Sequence, residues 1–150
     1  MGRIGLLIAA LVWLASGAAL AETWQKDIVL QVNALRTARG LSPLAWNDRL
    51  GNAADAHALD LYRAGRLSHE GRDGSTMVQR LERIDYPYRA AAENLALCDC
   101  DAAGVVGRWM DSADHRRNLL NPNVREMGAG VMDDPEHRGR VLWVLLLGAS

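Results

Sequence analysis

The sequence has little net charge and almost no lysine. Its 17 basic residues nearly balance 18 acidic ones, the formal net charge is −1, and Lys26 is the one lysine. The arginines are scattered along the chain and form no basic cluster, so no strong positive field favours nucleic acid. We therefore expect no nucleic-acid partner.

Cysteine is also scarce, with two residues, Cys98 and Cys100, separated by Asp99. Soft metal sites usually use wider spacing and more ligands, so this pair is a weak metal candidate. In an oxidising compartment a local disulfide is the favoured interpretation, with free or intermolecular thiols as the alternative. Because such a bond closes almost no loop, it would stabilise the fold little.

Two catalytic signatures are missing from the sequence. No nucleophile elbow surrounds Ser68 or Ser112, which argues against a serine hydrolase even though Asp114 and His115 lie close to Ser112. No His-Glu-x-x-His motif of the zinc peptidases is present. Any catalytic site would have to be assembled from separate parts of the chain.

Long hydrophobic runs are absent after the N-terminus. A basic start is followed by an apolar stretch at residues 4–15, and Ala19-Leu20-Ala21 fits the small-x-small rule of signal cleavage. The stretch is short for a bilayer span, so an uncleaved anchor is the weaker alternative. We expect residues 1–21 to be a signal peptide, residues 22–150 to be the mature domain, and the protein to be secreted or periplasmic.

Hydrophobic periodicity predicts helices first and strands last. Asn47 is an expected N-cap, Gly65 an expected C-cap, and Ser75 or Thr76 a further N-cap. The predicted helices cover residues 24–38, 47–64, 75–84 and 101–112, and the predicted strands lie within residues 89–97, 127–132 and 141–147, the last two joined by a hairpin loop. This order indicates an α+β domain with helices packed on a small antiparallel sheet.

The four histidines have different expected environments and roles. His57 lies on the apolar face of the second predicted helix, where a core histidine is the favoured interpretation. His137 lies in the charged hairpin loop and is expected to be solvated. His69 and His115 are each expected in a loop at a helix end, where binding and catalytic residues are often placed.

Glu93 lies between these two histidines in sequence. Imidazole is a common metal ligand and a usual acid/base group near neutral pH. A carboxylate can complete a His-His-Glu metal set with one position left open, or it can orient one imidazole through its second nitrogen. The spacing matches no local metal motif, so a metal site, acid/base chemistry and a structural role all stay open.

Several ordered motifs resemble those of one known family. They are Ser68-His69, Ala92-Glu93-Asn94-Leu95, Trp109, the run from His115 to Leu120, and Gly128-x-Gly130. Together they resemble the CAP superfamily, the SCP-like domain of cysteine-rich secretory proteins, antigen 5 and plant pathogenesis-related proteins, and most of all its short bacterial branch. The resemblance covers about residues 28–148 and implies an α-β-α sandwich, with helices on both faces of a small central antiparallel sheet.

The resemblance also implies a surface cleft lined by two histidines and acidic residues. In parts of the family that cleft binds zinc or another divalent cation. By position, the cleft and metal residues here are His69, Glu93 and His115. Asn94 and Asn118 lie in the matching motifs and are expected to support the loops by hydrogen bonds to the backbone.

The sequence departs from the family pattern in three places. Eukaryotic members have a second cleft glutamate shortly after the tryptophan, and here Asp111 or Asp114 would have to replace it. The last predicted strand is apolar at residues 142–147, which fits either a central strand buried on both faces or an exposed apolar surface for lipid. The many disulfides of eukaryotic members are missing.

Three functions are consistent with these features. The leading hypothesis is a monomeric exported protein whose cleft binds a divalent metal such as Zn²⁺, a lipid or an envelope component. The alternative is a metal-dependent, peptidase-like hydrolase in which His69, Glu93 and His115 hold zinc, with Glu70 or Asp114 as general base. In the third hypothesis, the polar cleft is structural.

Overall fold

The computed structural model describes residues 23–134 and 139–150. The predicted signal peptide and His137 lie outside these residues. The described residues form five helices and four strands: α1 (residues 23–37), β1 (Ala45–Trp46), α2 (Asp48–Ala64), α3 (Met77–Arg83), β2 (Ala90–Cys98), α4 (Ala102–Asp111), α5 (Ala113–Leu119), β3 (Glu126–Asp134) and β4 (Arg140–Ala149). Among these helices, none has both the length and the apolar character needed to cross a membrane.

The four strands form one sheet in the order β1-β3-β4-β2. The two long ladders, β3–β4 and β2–β4, are antiparallel as predicted. The strand β1 was not predicted; its two-residue parallel ladder pairs Ala45 with Glu126 and Trp46 with Met127. The last strand in the chain, β4, therefore lies in the middle of the sheet.

Alternate residues of β4 pack into two different hydrophobic clusters. Trp143, Leu145 and neighbouring odd-numbered residues pack in the cluster that contains Ile28 of α1 and Trp109 of α4. Leu142, Val144 and Leu146 pack with residues of α2 and α3. The predicted α-β-α sandwich is confirmed, and the apolar run of β4 is explained by burial on both faces, so it offers no surface for lipid.

The helix ends follow from local hydrogen bonding, much as predicted. The Asn47 side chain accepts from two backbone N–H groups of α2, and Gly65 ends that helix with a left-handed φ of 63°. Thr76 caps α3 in a capping box with Gln79. Asp101 caps α4 by accepting from the backbone of its third residue.

One prediction about the chain after α4 was wrong. Residues 113–119 were expected in a loop but form the helix α5. Ser112 has extended dihedral angles (φ −94°, ψ 127°) and separates α5 from α4. A helix of two turns that follows a single-residue break carries little periodicity of its own, so its sequence was taken for a loop. His115 therefore projects from a helix.

The packing of α2 on β3 requires two glycines. A Cβ atom at Gly128 would overlap the backbone of Leu50 and Gly51, and one at Gly130 would overlap the backbone of Ala54 and Asp55. The strand and the helix thus touch backbone to backbone. This contact fixes where α2 lies relative to the sheet.

Cys98 and Cys100 form a disulfide, with their Cα atoms 5.3 Å apart. The bond joins the end of β2 to the residue preceding the N-cap of α4. The favoured interpretation of the cysteine pair, a local disulfide, is therefore confirmed.

Candidate functional site

Glu93 is the buried centre of the candidate site. It lies on β2, and its side chain is 2% exposed. Its Oε1 atom lies 2.8 Å from Nδ1 of His69, and its Oε2 atom accepts a hydrogen bond of 2.6 Å from Nη2 of Arg80. Both carboxylate oxygens are therefore engaged by side chains of the protein.

His69 reaches Glu93 from the loop between α2 and α3. Its side chain is 61% exposed, although its Nδ1 atom contacts a buried carboxylate. Because an ionised carboxylate only accepts hydrogen bonds, Nδ1 carries the proton. In the neutral ring this leaves the lone pair on Nε2. The geometry corresponds to a carboxylate that orients an imidazole through its second nitrogen.

Arg80 is a site residue that was not predicted from the sequence. From α3 it donates through Nη1 to the backbone oxygens of His69 (3.0 Å) and Ser75 (2.9 Å) and through Nη2 to Glu93. One guanidinium thus ties the loop before α3 to the buried carboxylate on β2. No local pattern distinguishes this arginine from the others in the sequence.

His57 borders the same cluster from α2. It is buried, as predicted for a core histidine, and its Nε2 atom donates to the backbone oxygen of Ser68 at 3.1 Å. The same atom lies 3.9 Å from Oε1 of Glu93. Burial lowers the pKa of His57, and the negative charge of Glu93 opposes that shift in part. The sequence predicted its burial but gave no sign of its nearness to Glu93.

His115 lies on α5 and is partly buried. Its pKa is lowered first by burial and then by the positive charge that His69 carries when protonated, while Asp114 raises it. Burial and mutual repulsion both favour the neutral ring, which is the form that binds metals and accepts protons.

Two asparagines fix α5 against β2. Asn94 donates to the backbone oxygen of His115 at 3.1 Å. Asn118 donates to the side-chain oxygen of Asn94 at 2.8 Å and lies 3.4 Å from the backbone oxygen of Glu93. Their predicted supporting role is confirmed, and the pair sets the position of His115 relative to Glu93.

The two candidate acids of the cleft lie at its surface. Asp111 is exposed at the end of α4. Asp114 is exposed and forms an ion pair of 3.0 Å with Arg117 on its own helix. In the part of the chain that the structure describes, neither acid bonds to the imidazoles of His69 and His115. Their role in place of the second family glutamate stays a prediction.

The donor set fits a divalent cation only in part. Within residues 23–134 and 139–150, no three His, Cys, Asp or Glu side chains are grouped so as to hold a metal ion. Glu93 does not fit as a direct ligand, because His69 and Arg80 occupy its two oxygens. His69 and His115 stay predicted ligands, with Glu93 as the hydrogen-bond partner of His69.

Bacterial proteins of similar sequence are longer than this chain. YkwD of Bacillus subtilis, an uncharacterised protein, is 30% identical over 112 residues, which are 75% of this chain and 44% of that protein. The uncharacterised membrane protein YlbC of the same organism is 30% identical over 109 residues, or 73% of this chain and 32% of that protein. The chain thus spans less than half the length of these curated relatives.

Solved structures share the fold. An extracellular protein containing a SCP domain from Bacillus anthracis has a TM-score of 0.78 at 25% identity, covering 87% of this chain and 41% of that one. An outer surface protein from Borrelia burgdorferi has a TM-score of 0.75 at 24% identity, covering 82% and 90% of the two chains. The fold extends to Schistosoma mansoni venom allergen-like protein 4, with a TM-score of 0.61 at 16% identity over 84% and 89% of the chains.

The family profile covers nearly all of the described domain. The profile of CAP, the cysteine-rich secretory protein family, matches residues 29–147. This range contains every motif on which the resemblance was based, from Ser68-His69 to Gly128-x-Gly130. The chain therefore belongs to the CAP, or cysteine-rich secretory protein, family and to its bacterial branch.

Proposed function

We propose that this chain is an exported binding domain whose cleft takes a divalent transition-metal cation through the imidazoles of His69 and His115. One observation carries the proposal: an imidazole that is 61% exposed is held by a carboxylate that is 2% exposed. An ordinary surface histidine is not anchored in this way. The N-terminal sequence and the extracellular and outer-surface relatives support export.

The electrostatics of the cleft suit a cation. Arg80 and Glu93 neutralise one another, so the buried pair presents no net charge to the imidazoles. Burial and the charge of His69 lower the pKa of His115, so its ring is neutral near pH 7. Neutral imidazole nitrogen is a common ligand for zinc and related ions. A bound ion would supply Lewis acidity, while the residues of this chain hold and orient it.

Titration calorimetry with Zn²⁺ on metal-free protein tests the proposal. We expect one ion per chain with micromolar affinity, because two imidazoles leave the remaining coordination to water or a ligand. His69→Ala and His115→Ala should each abolish binding. His137→Ala, the same change in the segment between β3 and β4, should leave it intact. Binding that survives either cleft substitution, or no binding by the parent, would overturn the proposal.

Metal-dependent hydrolysis by the same residues stays a prediction. It is distinguished from binding alone by an assay of peptide cleavage by the zinc-loaded protein. Turnover that depends on zinc and disappears in His115→Ala would show that the cleft acts as an enzyme and would overturn a purely binding role.

A second candidate function, lipid binding, is favoured by a groove along α1. A space of about 530 Å³ is lined mainly by Val29, Leu30, Trp46 and the aliphatic part of neighbouring side chains. Leu30 is 65% exposed and lines this space together with Val29 and Trp46, so the groove presents an apolar surface.

Displacement of a fluorescent fatty acid by palmitate tests this candidate. Leu30→Asp should abolish fatty-acid binding, because it places a charge in the apolar groove. Leu67→Asp, at another exposed leucine (44% exposed), should not. Equal effects of the two changes would exclude the groove as a lipid site.

A further inference from the structure

The helix that carries His115 is too short to fix its own position. α5 has seven residues, and isolated helices shorter than about 12–15 residues are only marginally stable in water. Its N-cap residue, Ser112, makes no capping hydrogen bond through its side chain. The place of His115 in the cleft therefore depends on what holds α5 against the rest of the domain.

Arg36 of α1 holds the C-terminal end of α5. The residue is 1% exposed. Its Nη1 atom donates to the backbone oxygen of Leu119, the last residue of α5, at 2.8 Å and to that of Asn121 at 3.0 Å. The last carbonyl groups of a helix have no partner within the helix, so a donor from outside stabilises that end.

The same guanidinium also bonds to the segment that follows α1. Its Nε atom donates to the backbone oxygen of Ser42 at 3.0 Å. A guanidinium has its donors in a rigid planar fork, whereas the ammonium group of lysine is a point charge on a flexible stem. Arg36 therefore holds the end of α5 in a defined position relative to α1 and to Ser42.

Arg36 is a buried cation without an acidic partner in the described part of the chain. The ion pairs found there all involve other basic residues. Burial lowers the pKa of Arg36, and the positive charge of Arg125 lowers it further. Three backbone oxygens take the place of a carboxylate. Because a buried charge is costly unless it is hydrogen-bonded, movement of α5 away from Arg36 is opposed.

Leu119 connects Arg36 to His115. These two residues of α5 are four positions apart, so they lie on the same face of the helix, one turn from each other. Leu119 is fully buried and His115 is partly buried. Asn94 on β2 donates to the backbone oxygen of His115 at 3.1 Å. Two donors from two different elements thus hold α5 at points one turn apart.

We propose that Arg36 is a positioning residue of the cleft, which fixes the place of His115 by holding the C-terminal end of α5. It acts through the backbone of Leu119 and is not itself a ligand. Its effect on metal binding rests on the proposed function, in which His115 is one of two imidazole ligands.

Hydrogen exchange on the metal-free protein tests the structural part of the proposal. The amides of Arg116, Leu120 and Asn121 are hydrogen-bonded in and directly after α5. In Arg36→Met they should exchange at least about tenfold faster relative to the amides of α2, because the end of α5 has lost its donor. The NMR signals of the His115 ring should shift as well. Arg36→Lys keeps the charge but not the fork, so it should give smaller changes of the same kind, and it serves if Arg36→Met does not fold.

Titration with Zn²⁺ tests the functional part. The affinity of Arg36→Met should fall at least about tenfold, as is usual when a group that orients a metal ligand is lost. Ile28→Ala is the matched control, because Ile28 is fully buried on the same helix, two turns before Arg36, and has no polar side chain to hold α5. This change should lower the midpoint of urea unfolding. It should leave the affinity for Zn²⁺ and the relative exchange of α5 as in the parent.

Two outcomes would overturn the inference. The first is unchanged exchange in α5 together with unchanged His115 signals in both Arg36 variants. The second is an equal loss of zinc affinity in Arg36→Met and Ile28→Ala, which would mean that Arg36 contributes only to overall stability. If the parent binds no zinc, the proposed function fails, and the exchange rates and ring signals of the metal-free protein still decide the role of Arg36.

Discussion

At the scale of single residues, the site depends on how a buried carboxylate is stabilised. Moving an ionised carboxylate out of water is expensive unless it is paired and hydrogen-bonded. Glu93 meets this requirement through Arg80 on one oxygen and His69 on the other. The carboxylate of Glu93 holds the exposed imidazole of His69, and Arg80 of α3 in turn holds the carboxylate.

Arg80→Met should lower the free energy of unfolding by about 3–5 kcal/mol, because it leaves Glu93 buried without its cation. Arg83→Met is the matched control on the same helix. The Arg83–Asp73 pair is 59% and 54% exposed, so solvent screens it and its loss should cost far less. Urea denaturation measures both, and similar losses would show that the buried pair has no special role.

Asn118→Ala should separate positioning from metal binding. It leaves the side-chain oxygen of Asn94 unpaired and loosens α5, at a cost of about 1–3 kcal/mol. Because α5 carries His115, the affinity for Zn²⁺ should fall even though no ligand has been removed. A variant that is destabilised but binds zinc as tightly as the parent would contradict the supporting role of this asparagine.

At the scale of elements, contact between the two backbones fixes the position of α2 on β3. Gly128 and Gly130 bring β3 against α2 with no room for a methyl group between them. The same helix carries His57, and the loop that follows it carries His69. The Gly-x-Gly motif is therefore linked to the geometry of the site through the position of α2.

Gly130→Ala should destabilise the protein by about 3 kcal/mol, because neither backbone can move away without loss of other packing. Gly107→Ala on α4 is the matched control: its Cβ would meet nothing within 4 Å. That change should stabilise the helix by up to about 1 kcal/mol. Thermal unfolding compares the stability of the two variants. A loss of stability in Gly107→Ala but not in Gly130→Ala would contradict the close contact between β3 and α2.

Reduction of the Cys98–Cys100 disulfide should have a small effect on stability. The bond links residues only two positions apart, so it removes little entropy from the unfolded chain. We expect a loss below about 2 kcal/mol when melting is followed with and without reductant. A collapse of the fold on reduction would mean that β2 and α4 depend on this bond for their packing.

At the scale of the whole molecule, the histidines make stability depend on pH. Burial lowers the pKa of His57 and of His115 below the ordinary value of 6.5. Between the folded and unfolded pKa values the unfolded chain binds more protons, so the free energy of unfolding rises with pH in that range. The contribution of both rings is fully present above the unfolded pKa and is lost as pH falls below it.

Urea unfolding at a series of pH values should therefore show a decline in stability from about pH 7 to about pH 5. His115→Gln should flatten the decline, since one of the two shifted rings is removed. Glu126 acts in a lower range, because hydrogen bonds from Tyr86 and Asn47 hold its pKa below 4.5. A profile that is flat across the first range would contradict the neutral burial of these histidines.

The sequence predicted those parts of the molecule that depend on local patterns. The apolar run of β4, the cap at Asn47 and the capping box at Thr76 each have a short-range physical cause. Family motifs indicated His69, Glu93 and His115, and the structure brings His69 and Glu93 into contact. These predictions rest on residues whose role can be recognised without their neighbours in space.

Other parts depended on packing between distant segments. Arg80 meets Glu93 only because the fold brings α3 close to β2. No residue near Arg80 in the sequence indicates that pairing. The two-residue β1 is defined by its partner β3. The helix α5 was hidden by the break at Ser112, and the nearness of His57 to Glu93 follows only from the packing of α2 on the sheet.

The place of β4 has a consequence for how the chain is made. Synthesis proceeds from the N-terminus, yet the strand that pairs with both β2 and β3 follows every other element. Neither hydrophobic cluster is complete until residues 141–147 of β4 have left the ribosome. A growing chain of this kind stays open during elongation, which is the condition in which a polypeptide can be threaded through a translocation channel.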